Sequence, residues 1–401
     1  MLLFLCVPIF LTAQVPERII LNLTAKPATS IAVTWRMNAP LNNARIQYAV
    51  STPWKQFEKE VSPRNAKMEK ADLGNGAVAF HYSAIITGLK PSTRYVYRVG
   101  CDSAWSEWNQ FSTSSDKAEP FSFVFFGDPQ NDITEHCSRV FRQAFQTAGG
   151  AAFWLFCGDM TSEPDDNQIG ELFTAAGFVL RTTPSVMIPG NHDMGYKTEY
   201  GKIVLNKNGK KIRTKNVSPL WNLHYTLPEN GIPGYEEVSY TFDYQGVRFI
   251  MLNSNDRLQE QAVWMENLLA ANPNTWTVVT FHHPLYSNAQ ERDERETRTA
   301  FQHIFDTYHV DMVLTGHDHS YARSHKINNG KVVSDQEQGT VYILSVSGPK
   351  QYVVSSEYKE LMAKVAGNVQ LFQVISVAGN TLDYKSFTAA GTLFDEFSLS
   401  K

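Results

Sequence analysis

Five times in this chain, a short apolar run stops at a cluster of Asp, Asn or His. Phe126-Gly127 leads into Asp128-Pro129-Gln130, Cys157-Gly158 into Asp159, and Pro189-Gly190 into Asn191-His192-Asp193. Phe281 leads into His282-His283, and Thr315-Gly316 into His317-Asp318-His319. Four of the five carry glycine just before the first polar residue, which permits a sharp turn and close backbone approach. Continuous apolar runs of this length are expected of strands covered on both faces. Polar groups at their carboxyl ends stand where open α/β sheets place their sites. Each cluster alone has a plainer reading: Gly-Asp and Gly-Asn are ordinary turns, His282-His283 a polar strand end, His317 and His319 a surface pair. Five together constrain the chain far more.

The segments around these clusters alternate. Residues 121–126, 151–157 and 185–188 read as buried strands, and 135–147 and 168–180 as helices. After a long polar stretch, 194–237, come a strand pair at 238–243 and 247–253 and a helix at 261–271. That helix has Val263, Trp264, Leu268 and Leu269 in its apolar stripe. A strand at 276–281, a helix at 298–308, a strand at 310–314 and strand-like runs at 340–346, 371–378 and 381–387 follow. This alternation predicts an α/β layered domain, a βαβ sandwich, over 121–401.

Residues 14–113 read differently. Runs 31–35, 44–50 and 93–100 alternate apolar and polar residues between turn signals, predicting an all-β sandwich of about 100 residues. The Trp35 strand and the Leu-x-Pro-x-Thr-x-Tyr-x-Tyr stretch from Leu89 to Tyr97 resemble a fibronectin type III domain. With no metal-ligand cluster, this part is expected to pack beside the second domain and wall one side of its cleft; the sharper alternative is sugar binding or adhesion. Residues 112–120 are polar and end in proline, as a linker does.

With 43% hydrophobic and 19% charged residues over 401 positions, the chain is globular with enough length for about two to three domains. Its net charge of -4 gives no general attraction to nucleic acid or anionic membrane, so any hold on phosphate is local. Residues 1–13 are apolar but too short to span a bilayer, and read as a signal peptide cut near Ala13. A buried strand of the first domain and a lipid attachment at Cys6 are the alternatives. The expected location is secreted or periplasmic, with no integral membrane segment after signal removal.

The clusters together supply three imidazoles, two carboxylates and an amide oxygen, a donor set suited to Mn, Zn or Fe. Six ligands exceed one tetrahedral site and suit two ions, which can clamp the attacking and leaving oxygens of a phosphoryl transfer. The series Gly-Asp-x-Gln, Gly-Asp, Gly-Asn-His-Asp, Val-x-x-His and Gly-His-x-His-x-Tyr-x-Arg resembles the calcineurin-like metallophosphoesterase superfamily. With the β-sandwich in front, it is most similar to the purple acid phosphatase branch. The resemblance implies that Asp128 and His319 bind a first metal, that Asp159 bridges, and that Asn191, His282 and His317 bind a second. It implies a metal-bound hydroxide as nucleophile and His192 as general acid, with Asp193 nearby to hold and charge its ring. Two positions depart from the branch. Ser162 replaces the tyrosine that ligates iron(III), so the iron(III)-tyrosinate colour is not expected. Gln130 either lends its carbonyl oxygen to the first metal or hydrogen-bonds the metal's water. Arg323 either contacts phosphate or supports its loop. The expected activity is hydrolysis of small phosphomonoesters; a phosphodiesterase on the same scaffold and an inert binding module are the alternatives.

Overall fold

The structure, a computed structural model, describes residues 15–74, 76–102, 104–200 and 202–401. The expected signal peptide lies outside the described residues. An all-β sandwich is followed by an α/β layered domain, and the two share a sheet.

Two sheets stack face to face in the second domain. The first has Phe121–Phe126, Trp154–Phe156 and Ser185–Met187 in parallel order, with Leu371–Ala378, Thr381–Thr388 and Leu393–Ser400 added antiparallel beside Phe121–Phe126. The second runs Tyr240–Tyr244, Val247–Met251, Trp276–Thr280, Met312–Thr315, Thr340–Leu344, then Tyr321–Asn328. Its four strands from Val247–Met251 to Thr340–Leu344 are parallel. Aromatic rings fill the space between the sheets: Phe153 lies 5.1 Å from Phe123 and 5.3 Å from Phe249 between centroids, and Phe242 stacks on Phe249 at 4.9 Å.

Helices cover the outer faces. Ser138–Ala148 presses Phe141 edge-on against Phe126 of the first sheet. Arg295–Tyr308 buries Phe301 and Phe305 against Phe281 on the second. Leu258–Ala270 buries Ala262, Met265 and Leu269, whereas Val263 is 62% exposed. Of the expected stripe, Trp264, Leu268 and Leu269 pack inward and Val263 alone faces solvent, while Gln261 turns inward to bond the backbone of Asn253 and Asp256. The helix expected at 168–180 spans Asp166–Ala176; Gly177 at φ +59° ends it and a single tight turn follows. The polar stretch 194–237 folds into short strand pairs, Met194–Tyr196 with Arg213–Val217 and Thr198–Glu199 with Lys202–Ile203, and a short helix, Pro219–His224.

The first sheet of the β-sandwich continues the first sheet of the second domain. Strand Glu17–Leu23 lies parallel to Ser185–Met187, with Asn22 opposite Ser185 and its side-chain amide donating to the Ser185 carbonyl at 3.0 Å. Strands Ser30–Met37, Ala77–Thr87 and Lys67–Gly74 extend that sheet outward, and Arg45–Val50 with Arg94–Cys101 belong to the facing sheet. At the junction Arg18 and Arg36 both bind Asp166, the first residue of its helix. The linker is pinned too: Gln245 accepts from Ser115 N and donates to the Glu119 carbonyl.

Candidate metal centre

All five polar clusters meet at the carboxyl ends of the parallel strands, three from the first sheet and two from the second. Four of the residues, Asp128, Asp159, His317 and His319, have φ between +39° and +76°. Asp and His tolerate this region better than most residues, yet such backbone is costly and concentrates at functional sites. The turn it creates points the side chains back into one buried space.

Asp128, Asp159, His282 and His319 are nearly inaccessible to solvent. His282 donates from Nδ1 to the Cys157 carbonyl at 2.8 Å, which leaves Nε2 facing inward, 3.3 Å from Asp159 Oδ2 and 3.9 Å from Asp128 Oδ1. His317 Nδ1 lies 3.2 Å from that same Nε2. His319 Nε2 is 3.8 Å from Asp128 Oδ1. The carboxylates are oriented by backbone: Asp159 Oδ1 accepts from His192 N at 2.7 Å and Asp128 Oδ2 from His317 N at 2.6 Å. Gln130 donates to Asp159 Oδ2 at 2.9 Å, and its amide nitrogen is 3.0 Å from His319 Nε2.

The electrostatics of this space favour a cation. Burial pushes the Asp128 carboxyl up to about 8, with His282 opposing and Asp159 adding to the shift. Burial pushes Asp159 the same way, but His282 and His192 outweigh it and hold the carboxyl below its ordinary value. Burial also lowers His282, yet the two carboxylates hold its ring well above the usual range. Asp128 Oδ1, Asn191 Oδ1 and Gln130 Oε1 are buried with no hydrogen-bond partner. Buried acceptors beside paired carboxylates are costly unless a cation meets them. The donor set fits a pair of divalent ions.

His192, Asp193 and Arg323 are placed as follows. His192 is half-buried, and its Nδ1 donates to the Ser162 carbonyl at 2.6 Å. Asp193 does not hold that ring as expected: its carboxylate accepts from Gly190 N at 2.8 Å and Met160 N at 3.2 Å, bracing two loops. The brace on His192 is Arg213, which donates to the His192 and Met194 carbonyls at 2.7 and 3.0 Å and to the Ser162 carbonyl at 3.1 Å. Arg213 lies in the polar stretch 194–237, where no motif singles it out. Arg323 pairs with Asp395 at 2.7 and 3.0 Å, so of its two readings the geometry matches the supporting one.

A cleft of about 910 Å³ opens beside His283, lined by Lys215 from the insertion, Ser254, Asp256, Glu294 and Thr297 among others. Segments 194–237, through Lys215, and 284–297 both contribute. None of its lining comes from the β-sandwich, which therefore does not wall this cleft. The sandwich instead supports strand Ser185–Met187, from which the Asn191 loop departs.

The chain is similar to known proteins. Residues 16–113 match the family model of the purple acid phosphatase N-terminal domain, and residues 121–321 that of the calcineurin-like phosphoesterases. The chain is 25% identical over 363 residues to acid phosphatase type 7 of Mus musculus, covering 83% of this chain and 77% of that protein. It is 26% identical over 308 residues to purple acid phosphatase 15 of Arabidopsis thaliana, covering 69% of this chain but only 54% of that longer relative. The solved structure of purple acid phosphatase PPD1 from yellow lupin (Lupinus luteus) seeds has a TM-score of 0.78 to this one, covering 96% of this chain and 74% of that one at 17% identity, which shows a shared fold. The chain belongs to the calcineurin-like phosphoesterase family, and its first domain matches the purple acid phosphatase N-terminal domain.

Proposed function

We propose that this protein is a binuclear-metal phosphatase acting on small phosphomonoesters. One observation carries the reading: five strand ends from two sheets bring two carboxylates, three imidazoles and an amide into one buried space, with acceptor atoms left unpartnered. In this reading Asp128 and His319 would hold one ion, Asn191, His282 and His317 would hold the other, and Asp159 would serve both. The fit is to Mn, Zn or Fe; with Ser162 where the branch has tyrosine, no iron(III)-tyrosinate colour is expected. When bound, such a pair acidifies water and offsets charge on phosphoryl oxygens.

The rest falls to the chain's own groups. The Asp128 and Asp159 carboxylates are held in place by backbone amides, so their geometry is set before substrate arrives. In the imidazolium form of His192, whose Nδ1–H donates to the Ser162 carbonyl, the Nε2 proton passes to the departing alkoxide and leaves the neutral ring. Arg213 fixes the backbone on both sides of that ring, so the donor does not drift from the leaving oxygen. Asp193 stiffens the loop rather than charging the imidazole. Residues 14–113 form the supporting domain and 121–401 the catalytic one. We further propose export by way of residues 1–13, and no role for nucleic acid.

The test is hydrolysis of an aryl phosphate monoester and the matching diester by chelated protein resupplied with Mn, Zn or Fe. Metal-dependent turnover with the monoester ahead is expected. The diester ahead would replace this reading with a phosphodiesterase, and no turnover with any metal would replace it with an inert binding module.

A further inference from the structure

The loop before helix Arg295–Tyr308 carries a carboxylate that nothing in the motif series announces. Glu294 Oε1 lies 3.5 Å from His317 Nε2, and the two side chains are only 28% and 12% exposed. We propose that Glu294 is a positioning residue: its carboxylate accepts the Nε2–H of His317, fixes the tautomer that turns Nδ1 toward the ligand space, and thereby sets the affinity of the second metal position. The inference rests on the reading above to the extent that His317 is a ligand there.

Three observations support it. First, the inward face of His317 is Nδ1, which stands 3.2 Å from His282 Nε2, itself 3.3 Å from Asp159 Oδ2. The ring nitrogen left for an orienting partner is Nε2, on the Glu294 side. Another inward-facing imidazole of this sheet, His282, has such a partner in the Cys157 carbonyl at 2.8 Å. A ligand imidazole whose second nitrogen donates to a carboxylate is held in one orientation and made more basic.

Second, Glu294 stands at the N-cap of its helix and makes no side-chain cap hydrogen bond. Its carboxylate leaves the helix amides and turns to His317 instead.

Third, the backbone on both sides is fixed. Arg292 reaches the His317 carbonyl at 3.3 Å and Asp318 Oδ1 at 3.5 Å. Asp293 is held by Arg298 at 2.7 Å and by the Tyr358 hydroxyl at 2.9 Å. Glu294 thus arrives on a loop tied to the very segment whose histidine it faces. His283 closes the remaining side, its ring 4.3 Å from that of His317 between centroids.

The test is a Zn²⁺ titration of metal-free full-length protein against a chromophoric chelator, for wild type, Glu294→Gln and Glu294→Ala. It reads metal binding and needs no turnover, so it stays decisive whether or not the phosphatase reading holds. In Glu294→Ala the tighter ion is expected to bind as in wild type, and the second to weaken roughly 10–100-fold. Glu294→Gln keeps an oxygen acceptor and should recover part of that loss. In zinc-loaded wild type the His317 Nε2 proton should give a slowly exchanging resonance that Glu294→Ala loses. Two ions bound with wild-type affinities in Glu294→Ala would overturn the assignment, and so would an equal weakening of both.

Discussion

At Gly190 and Gly316 the backbone passes so close to a carboxylate that a Cβ would overlap it: Asp159 in the first case, Asp128 in the second. The glycines that made the clusters conspicuous in the sequence are thus needed for the strand ends to converge. Gly316→Ala is expected to displace Asp128 and abolish binding of the first metal while the sheets stay folded; metal content alongside circular dichroism checks this. His192→Ala should keep the metals and slow turnover by roughly 10²–10⁴-fold, with the smaller loss on an activated aryl ester that needs little protonation on departure. Equal losses on activated and poor leaving groups would remove His192 from that role. The convergence of Asp128, Asp159, His282, His317 and His319 was legible because each sits behind an apolar run, so burial and strand direction follow from local pattern. The partner of His192 was not. Asp193 is next to it in sequence, but the tight turn at Gly190 directs that carboxylate onto two amides, and Arg213 reaches the ring's loop from a strand pairing that no local pattern specifies.

At the scale of elements, the junction between the domains carries a titratable pair. His81 and His224 meet edge to face at 4.6 Å, beside Arg18, Arg36 and Asp166. His224 donates from Nδ1 to the Leu220 carbonyl at 2.8 Å, and its Nε2 lies 3.1 Å from Arg18, which can only donate; the ring must therefore be neutral. Burial, reinforced by Arg36, pushes His81 down to about 4, and burial with His81 pushes His224 well below its ordinary value. Both folded values lie below the unfolded value of about 6.5. Below that pH the unfolded chain binds more protons than the folded one, so stability is full above about 6.5 and falls with pH, through about 4 for His81. Denaturant unfolding from pH 7 to pH 4 should show this decline, and His81→Phe should flatten it; an unchanged slope would show that other groups govern it. The strands and helix that carry Arg18, His81 and His224 were not legible from periodicity; the helices behind the catalytic strands were. Their ends did not follow from it, as where the left-handed Gly177 stops a helix.

Across the whole molecule, one ten-stranded sheet runs from the C-terminal strand Leu393–Ser400 through the catalytic strands into the β-sandwich at Lys67–Gly74. Two domains were legible from the change of pattern near residue 113; their shared sheet was not, because a parallel pairing between residues 22 and 185 leaves no mark in either segment. This sheet makes the sandwich a support for the Asn191 loop. A chain beginning at residue 114 would bare the edge of Ser185–Met187, and it should aggregate or lose metal affinity rather than behave as an independent enzyme. A soluble fragment with full metal affinity would show the sandwich to be dispensable. The central claim is a two-ion centre built from both sheets, and its most direct test is to titrate metal-free protein with Mn, Zn or Fe while following bound metal per chain and aryl phosphate turnover together. The account predicts that turnover reaches its plateau at two ions per chain, and that Asp159→Asn lowers both quantities together. A plateau at one ion, or full metal binding and turnover in Asp159→Asn, would contradict it.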